Sequence, residues 1–193
     1  AVTAWHSLVW RKSVKAGEKV LLLGTGGVSV FAQQFANIMG ASTIVISSSN
    51  EKLLRMSKLG ALETINYQDF PDWDQKVMDL SGDGGVDHIV EVGGPGTLEK
   101  SIKVARIGGH IALIGVLTGA GGKVTPTDIM RKSLNVSGIY VGSREMFCQM
   151  LTAIKRHELR PVIDKVFSFE NAQEAFYNMK NGSHFGKIVI SIP

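Results

Sequence analysis

The chain has 193 residues, 44% hydrophobic and 20% charged, with a net charge of +4 at pH 7. These proportions exclude disordered and fibrous classes, and the length suits one domain of ordinary size or one domain with a small appendage. Lys and Arg are scattered along the chain, which argues against a nucleic-acid partner and is equally explained by an anionic small ligand.

The first expected element is a helix over 2–12, which the chain enters without a Met or a leader pattern, as a fragment lacking its preceding part would. From Lys19 onward, β-type runs alternate with helical spacing, the sign of βαβ units stacked around a parallel sheet. Strands are expected at 19–23, 43–47, 63–66, 88–92, 110–114 and 134–141. Helices are expected between and after them at 28–39, 50–59, 73–80, 96–104, 127–131 and 144–157. This predicts an α/β Rossmann fold, a doubly wound six-stranded parallel sheet. Beyond His157 the pattern becomes strand, helix opened by Ser168 as N-cap, a Gly182 stop and a final strand over 187–192, which is not a seventh βα unit. No apolar run reaches the length of a membrane span, so no membrane partner is expected. The single cysteine, Cys148, excludes an internal disulfide and points to a reducing, cytoplasmic setting; its neighbours Phe147 and Leu151 suggest a buried structural thiol.

Gly24, Gly26 and Gly27 follow the first strand and open the first long helix, in the pattern G-T-G-G-V-S. Such a turn lets backbone approach a ligand closely and aims the first helical amides, with the positive end of the helix dipole, at a pyrophosphate. The dinucleotide fingerprint has Gly or Ala in the place of Ser29, which is still small enough for close helix–sheet packing. Its hydroxyl has two possible targets, the phosphate and the backbone. The same turn also serves as a bare βα connection, or holds an adenosyl cofactor in methyltransferases, although those usually need an acid at the end of the second strand.

That strand ends in Ser47, Ser48 and Ser49, where a ribose-binding Asp or Glu would lie about 20 residues after the turn. Hydroxyls together with Lys52 remove repulsion toward a 2′-phosphate and supply donors for it, which favours NADP over NAD. A cap on the next helix by Ser49 or Asn50, with Lys52 and Arg55 solvated, is the competing account, and the two roles can coexist.

With these residues in view, the chain resembles the medium-chain dehydrogenase/reductase superfamily, in its zinc-type alcohol dehydrogenase and quinone oxidoreductase-like branch. The resemblance runs in order through "VTAWHSL", "VKAGEKVLLLGTGGVS", "SSSNEKLLRMSKLGA", "TINY", "GGVDHIVEVGG", "GGHIALIGV", "GIYVGSREMF" and "HFGKIVI". It implies that Gly24, Gly26, Gly27, Val28 and Ser29 line the pyrophosphate of NADP(H), and that Ser48, Ser49, Lys52 and Tyr67 surround its 2′-phosphate. It implies further that Val92, Gly93, Ile114, Gly115 and Val116 flank the riboses. The backbone from Ile139 to Val141 would hold the nicotinamide carboxamide, and Thr3 would sit beside the ring.

By the same resemblance, 14–158 is the dinucleotide-binding domain. Segments 1–13 and 159–193 go with a GroES-like catalytic domain that precedes the chain and carries the catalytic residues and any zinc. The whole enzyme would exchange hydride between the cofactor and a small alcohol or carbonyl substrate, as a homodimer joined through the sixth strand. A zinc-free quinone or enoyl reductase, and a non-catalytic NADPH-sensing module, are the alternatives.

Other candidates are weaker. His6, His88, His110, His157 and His184 show no metal-ligand spacing with one another or with Cys148. His184 and Lys187 of "HFGK" are candidates for the cofactor end, with surface turn and solvated strand end as the plainer accounts, and Arg144 is more simply an exposed helix start. Asp87 and Glu91 share a strand face but lie about 13 Å apart along it, too far to share a proton.

Overall fold

The computed structural model describes residues 1–82 and 84–193. Its centre is a parallel sheet of β1 (Lys19–Leu23), β2 (Ser42–Ser47), β3 (Glu63–Asn66), β4 (Val86–Glu91), β5 (Ala105–Leu113) and β6 (Asn135–Gly138), in the order β3-β2-β1-β4-β5-β6. The apolar runs read as strands because both faces are covered. Val20 and Leu22 face one core with Val45 and Val90, whereas Leu21 and Leu23 face the other with Ile44, Ile46 and Ile89.

The first core is roofed by α1 (Val2–Trp5), α2 (Gly27–Ile38), α3 (Asn50–Lys58) and α7 (Arg144–Arg156). The second is covered by α4 (Trp73–Ser81), α5 (Pro95–Val104) and α6 (Pro126–Arg131). Ala32 and Ala36 are fully buried on α2, and Phe35 between them packs edge-on to Trp5 at 5.3 Å.

The tail forms its own two-stranded parallel sheet, β7 (Ile163–Ser168) with β8 (Lys187–Ser191), connected through a 3₁₀ turn, Phe169–Asn171, and α8 (Ala172–Lys180). It docks on the glycine turn: Gly26 bridges Gly186, and Gly186 N–H donates to Thr25 O at 3.2 Å. From α3, Lys52 Nζ donates to Gly182 O at 2.8 Å, and Arg55 pairs with Asp164 at 2.8 Å while its guanidinium lies 4.1 Å over the Phe185 ring.

Several sequence expectations change. The first helix is α only to Trp5 and continues as a π turn, His6–Trp10. β6 stops at Gly138 rather than 141, because the chain turns away there and Val141 has φ +56°. Ser168 leads into the 3₁₀ turn and makes no side-chain cap, so α8 starts only at Ala172. Cys148 is exposed. α7 buries Met146 and Met150, one turn apart, and a residue two positions from each points to the opposite face. Lys52 and Arg55 are tethers to the tail as well as surface cations.

Candidate functional site

Reversal of strand order between β1 and β4 leaves a crevice beyond the carboxyl ends of the strands, the usual ligand position in such sheets. A cleft of about 580 Å³ lies there. Gly24, Gly26, Gly27, Val28 and Ser29 form its floor, Ser48, Lys52 and Tyr67 one side, and Val92, Ile114 and Gly115 the other. Gly24 has φ +73°, and a Cβ on Gly24 or Gly26 would project into open space, so backbone there is bare to whatever fills the cleft. Beside it, a largely apolar hollow of about 440 Å³ is lined by Ile46, Tyr67, Pro71, Trp73, Gly93 and Lys100 among others.

Several expected residues have their side chains committed, or lie, elsewhere. Ser29 Oγ donates to Leu23 O at 2.7 Å and is buried, so its hydroxyl locks the turn to the strand that feeds it. Ser49 caps α3, its hydroxyl accepting from Lys52 N–H at 3.3 Å. Val116 lies beside a separate hollow under the loop after β5, lined also by Pro95, Leu98 and Val124. Thr3, Ile139 and Val141 do not line the cleft; α1 meets the turn after β6, where His6 Nδ1 donates to Val141 O at 3.0 Å and a Cβ on Gly142 would meet Val2 at 2.7 Å.

One wall comes from the tail, through Met179, Lys180, Gly182 and His184. Met179 and Lys180 carry no signal as ligand residues, since both sit in the last turn of an ordinary amphipathic helix. His184 had a hint in "HFGK", and the structure puts it in the cleft. Lys187 lies across the start of α2, with its Cδ 2.8 Å from where a Gly27 Cβ would be. His184 Nδ1 is buried without a partner, and its pKa is lowered by burial first and then by Lys52, with Lys187 adding to that and Asp164 opposing it.

Glu91, fully buried, braces the turn between β4 and α5. Its carboxylate accepts from Gly93 N–H at 2.8 Å, Gly94 N–H at 3.0 Å, Thr97 Oγ1 at 2.6 Å and Ser101 Oγ. Asp87 instead pairs with Arg106, so the two acids have separate structural tasks. His88 and His110 are buried edge to face at 5.6 Å, and His88 Nε2 is 2.9 Å from Glu18. Burial, then His88 and the cations Lys12 and Arg11, push the His110 pKa down to about 4. No group of three or more His, Cys, Asp or Glu is gathered for a metal among the described residues, so the side chains present do not fit a zinc site. No described helix is long and apolar enough to cross a membrane.

Residues 27–156 match the family described as zinc-binding dehydrogenase. The chain belongs to this family. Within the medium-chain dehydrogenase/reductase superfamily, this family member corresponds to the C-terminal part of the zinc-type alcohol dehydrogenase and quinone oxidoreductase-like branch, whose members are oxidoreductases. It is 42% identical over 200 residues to the zinc-type alcohol dehydrogenase-like protein C1773.06c of Schizosaccharomyces pombe, covering 100% of this chain and 57% of that one. A candidate alcohol dehydrogenase from Sinorhizobium meliloti 1021 superposes with a TM-score of 0.94 at 41% identity, over 99% of this chain and 55% of that one. A structure described as an NAD-dependent alcohol dehydrogenase superposes at 0.91 and 33% identity, over 100% and 56%. The chain thus spans a little over half the length of these relatives.

Proposed function

We propose that this chain is the NADP(H)-binding portion of an oxidoreductase that moves hydride between the nicotinamide and an alcohol, aldehyde or ketone. The observation that carries the reading is one cleft in which the glycine turn meets the end of the second strand at Ser47 and Ser48, with Lys52 nearby and no acid at the strand end. A bound nicotinamide cofactor supplies the hydride. The chain supplies binding and orientation. The bare backbone at Gly24 and Gly26 and the first amides of α2 suit a pyrophosphate, and Lys187, lying over Gly27, adds a positive charge there. Ser48, Lys52 and Tyr67 take the 2′-phosphate in this reading, and Lys52 keeps donors to spare beyond the one given to Gly182. Val92, Gly93, Ile114, Gly115 and Val116 flank the riboses, while Thr3 and the backbone from Ile139 to Val141 meet the nicotinamide.

In the same reading 14–158 is the cofactor domain, and 1–13 with 159–193 belong to a preceding catalytic domain that brings the catalytic residues and any zinc. The exposed edge strand β6 is the seam of a homodimer. The single cysteine supports a reducing, cytoplasmic setting. A zinc-free quinone reductase is the second reading, favoured by curated quinone oxidoreductases that align over 196 residues at 28–29% identity.

Titration of the chain with NADPH and NADH, followed by calorimetry or tryptophan fluorescence, tests the reading. NADPH should bind about 10- to 150-fold tighter, and K52A should remove most of that preference. Equal or tighter binding of NADH would make the strand-end serines a helix start and nothing more, and would align the chain with its NAD-dependent structural neighbour.

A further inference from the structure

His184 sits in the turn between α8 and β8, on the tail's side of the cleft that Ser48 also lines. Cations act on it from two elements, and a third cation lies in the same cleft. Lys52 of α3 is tied by its ammonium to Gly182 O, two residues from the histidine; Lys187 of β8 lies over Gly27; and Lys180 of α8 lines the same cleft. The carboxylate that acts on it, Asp164 of β7, is already held by Arg55 at 2.8 Å. The ring therefore stays neutral in a cationic surround, and its Nδ1 is buried with no partner. Because Nδ1 is closed off from solvent, Nε2 is the ring nitrogen left to meet a ligand in the cleft.

A phosphate dianion beside Lys52 changes the balance. It offsets the lysines and offers acceptor oxygens, and an imidazole is the side chain that gains a charge most readily near neutral pH. We propose that His184 is the proton-linked contact for the cofactor's 2′-phosphate: on binding, the neutral ring takes one proton from solvent and donates an N–H to a phosphate oxygen. Specificity for the phosphorylated dinucleotide is then shared between α3 and the tail, and it tightens as pH falls toward the ordinary histidine range. This inference rests on the NADP(H) reading above.

Calorimetry of the whole chain with NADPH near pH 7, in PIPES and in imidazole buffers of different ionisation enthalpy, counts the protons exchanged. Wild type should take up about half a proton or more beyond H184Q, a difference that cancels any proton the 2′-phosphate itself releases. H184Q should weaken NADPH about tenfold and leave NADH nearly unchanged. On the unmutated chain, the His184 ring resonance, assigned by its loss in H184Q, should shift its titration midpoint upward by about one pH unit or more when NADPH is bound. Equal uptake in wild type and H184Q, equal uptake with NADH, or an unmoved midpoint would overturn the proposal while leaving a measured NADPH preference intact. Failure of wild type to bind either nucleotide would overturn the cofactor reading itself.

Discussion

His6 Nδ1 lies 3.0 Å from the carbonyl oxygen of Val141, so a side chain from the first helical segment holds the backbone just beyond the sixth strand. Val141 is β-branched with φ +56°, a conformation that costs about 1–3 kcal/mol and persists only where its surroundings impose it. V141G should therefore raise stability to urea by up to about 1 kcal/mol, despite the greater freedom glycine gives the unfolded chain. H6A should lower it by about 2 kcal/mol, and by less in the V141G background, with a coupling of at least about 0.5 kcal/mol. Additive effects would show that the two residues do not act on one turn.

Gly26 and Gly115 separate binding from folding. Gly26 has ordinary φ −77° and open space where a side chain would go, so G26A should leave the melting temperature nearly unchanged while weakening NADPH about tenfold or more. A Cβ on Gly115 would lie 2.0 Å from Val92 O, so G115A should destabilise by about 3 kcal/mol by forcing the ends of β4 and β5 apart. A stable G115A chain with unaltered binding would mean that the two strand ends separate without penalty.

Replacing Glu91 by Gln keeps its shape and removes acceptor capacity. Its carboxylate accepts from Gly93, Gly94 and Thr97 on one oxygen and from Ser101 on the other. A Gln amide would keep its oxygen on the first three and turn its NH₂ to Ser101, whose hydroxyl must rotate to accept it. E91Q loses the charge assistance of these bonds and should cost about 1–2 kcal/mol in chemical denaturation. A loss below about 0.5 kcal/mol would show that the turn does not depend on the carboxylate.

Acid should weaken the fold through the buried histidine pair. The His110 pKa is about 4 in the folded chain against 6.5 for a free histidine, so between these values the unfolded state binds more protons and stability rises with pH. The contribution is complete above about pH 6.5 and is lost progressively as pH falls toward 4, amounting to about 2 kcal/mol between pH 7 and pH 5. His88, lowered by burial despite Glu18, acts in the same direction. Melting curves at pH 5 and pH 7 should converge in H110L relative to wild type, and an unchanged gap would place the acid sensitivity elsewhere.

The sheet and the glycine turn were legible in the sequence because their signals are local. A strand, three glycines and a helix stripe occupy adjacent residues, and burial of both sheet faces leaves unbroken apolar runs. The tail's part in the cleft was not legible, because Gly26 meets Gly186 and Lys52 meets Gly182 only after folding, and neither pairing has a periodicity to read. Cys148 was misjudged from its sequence neighbours, although the spacing of Met146 and Met150 marks the buried side of that helix. The early stop of β6 had no signal at all. Val141 is a strand-favouring residue in a left-handed turn that only a contact with a remote helix explains.

The bridge between Gly26 and Gly186 also sets an order of events during synthesis. The glycine turn leaves the ribosome early, and the sheet around it can begin to form as successive βα units emerge. The strip that walls the cleft is translated long afterwards, so the nascent chain offers an open shelf until Gly186 is available to pair. A dinucleotide meeting that shelf would lack Lys180, His184 and Lys187. The cleft is thereby completed only when almost all of this chain has been made, and a ribosome stalled before Gly186 would hold the sheet without the wall that Lys180 and His184 form.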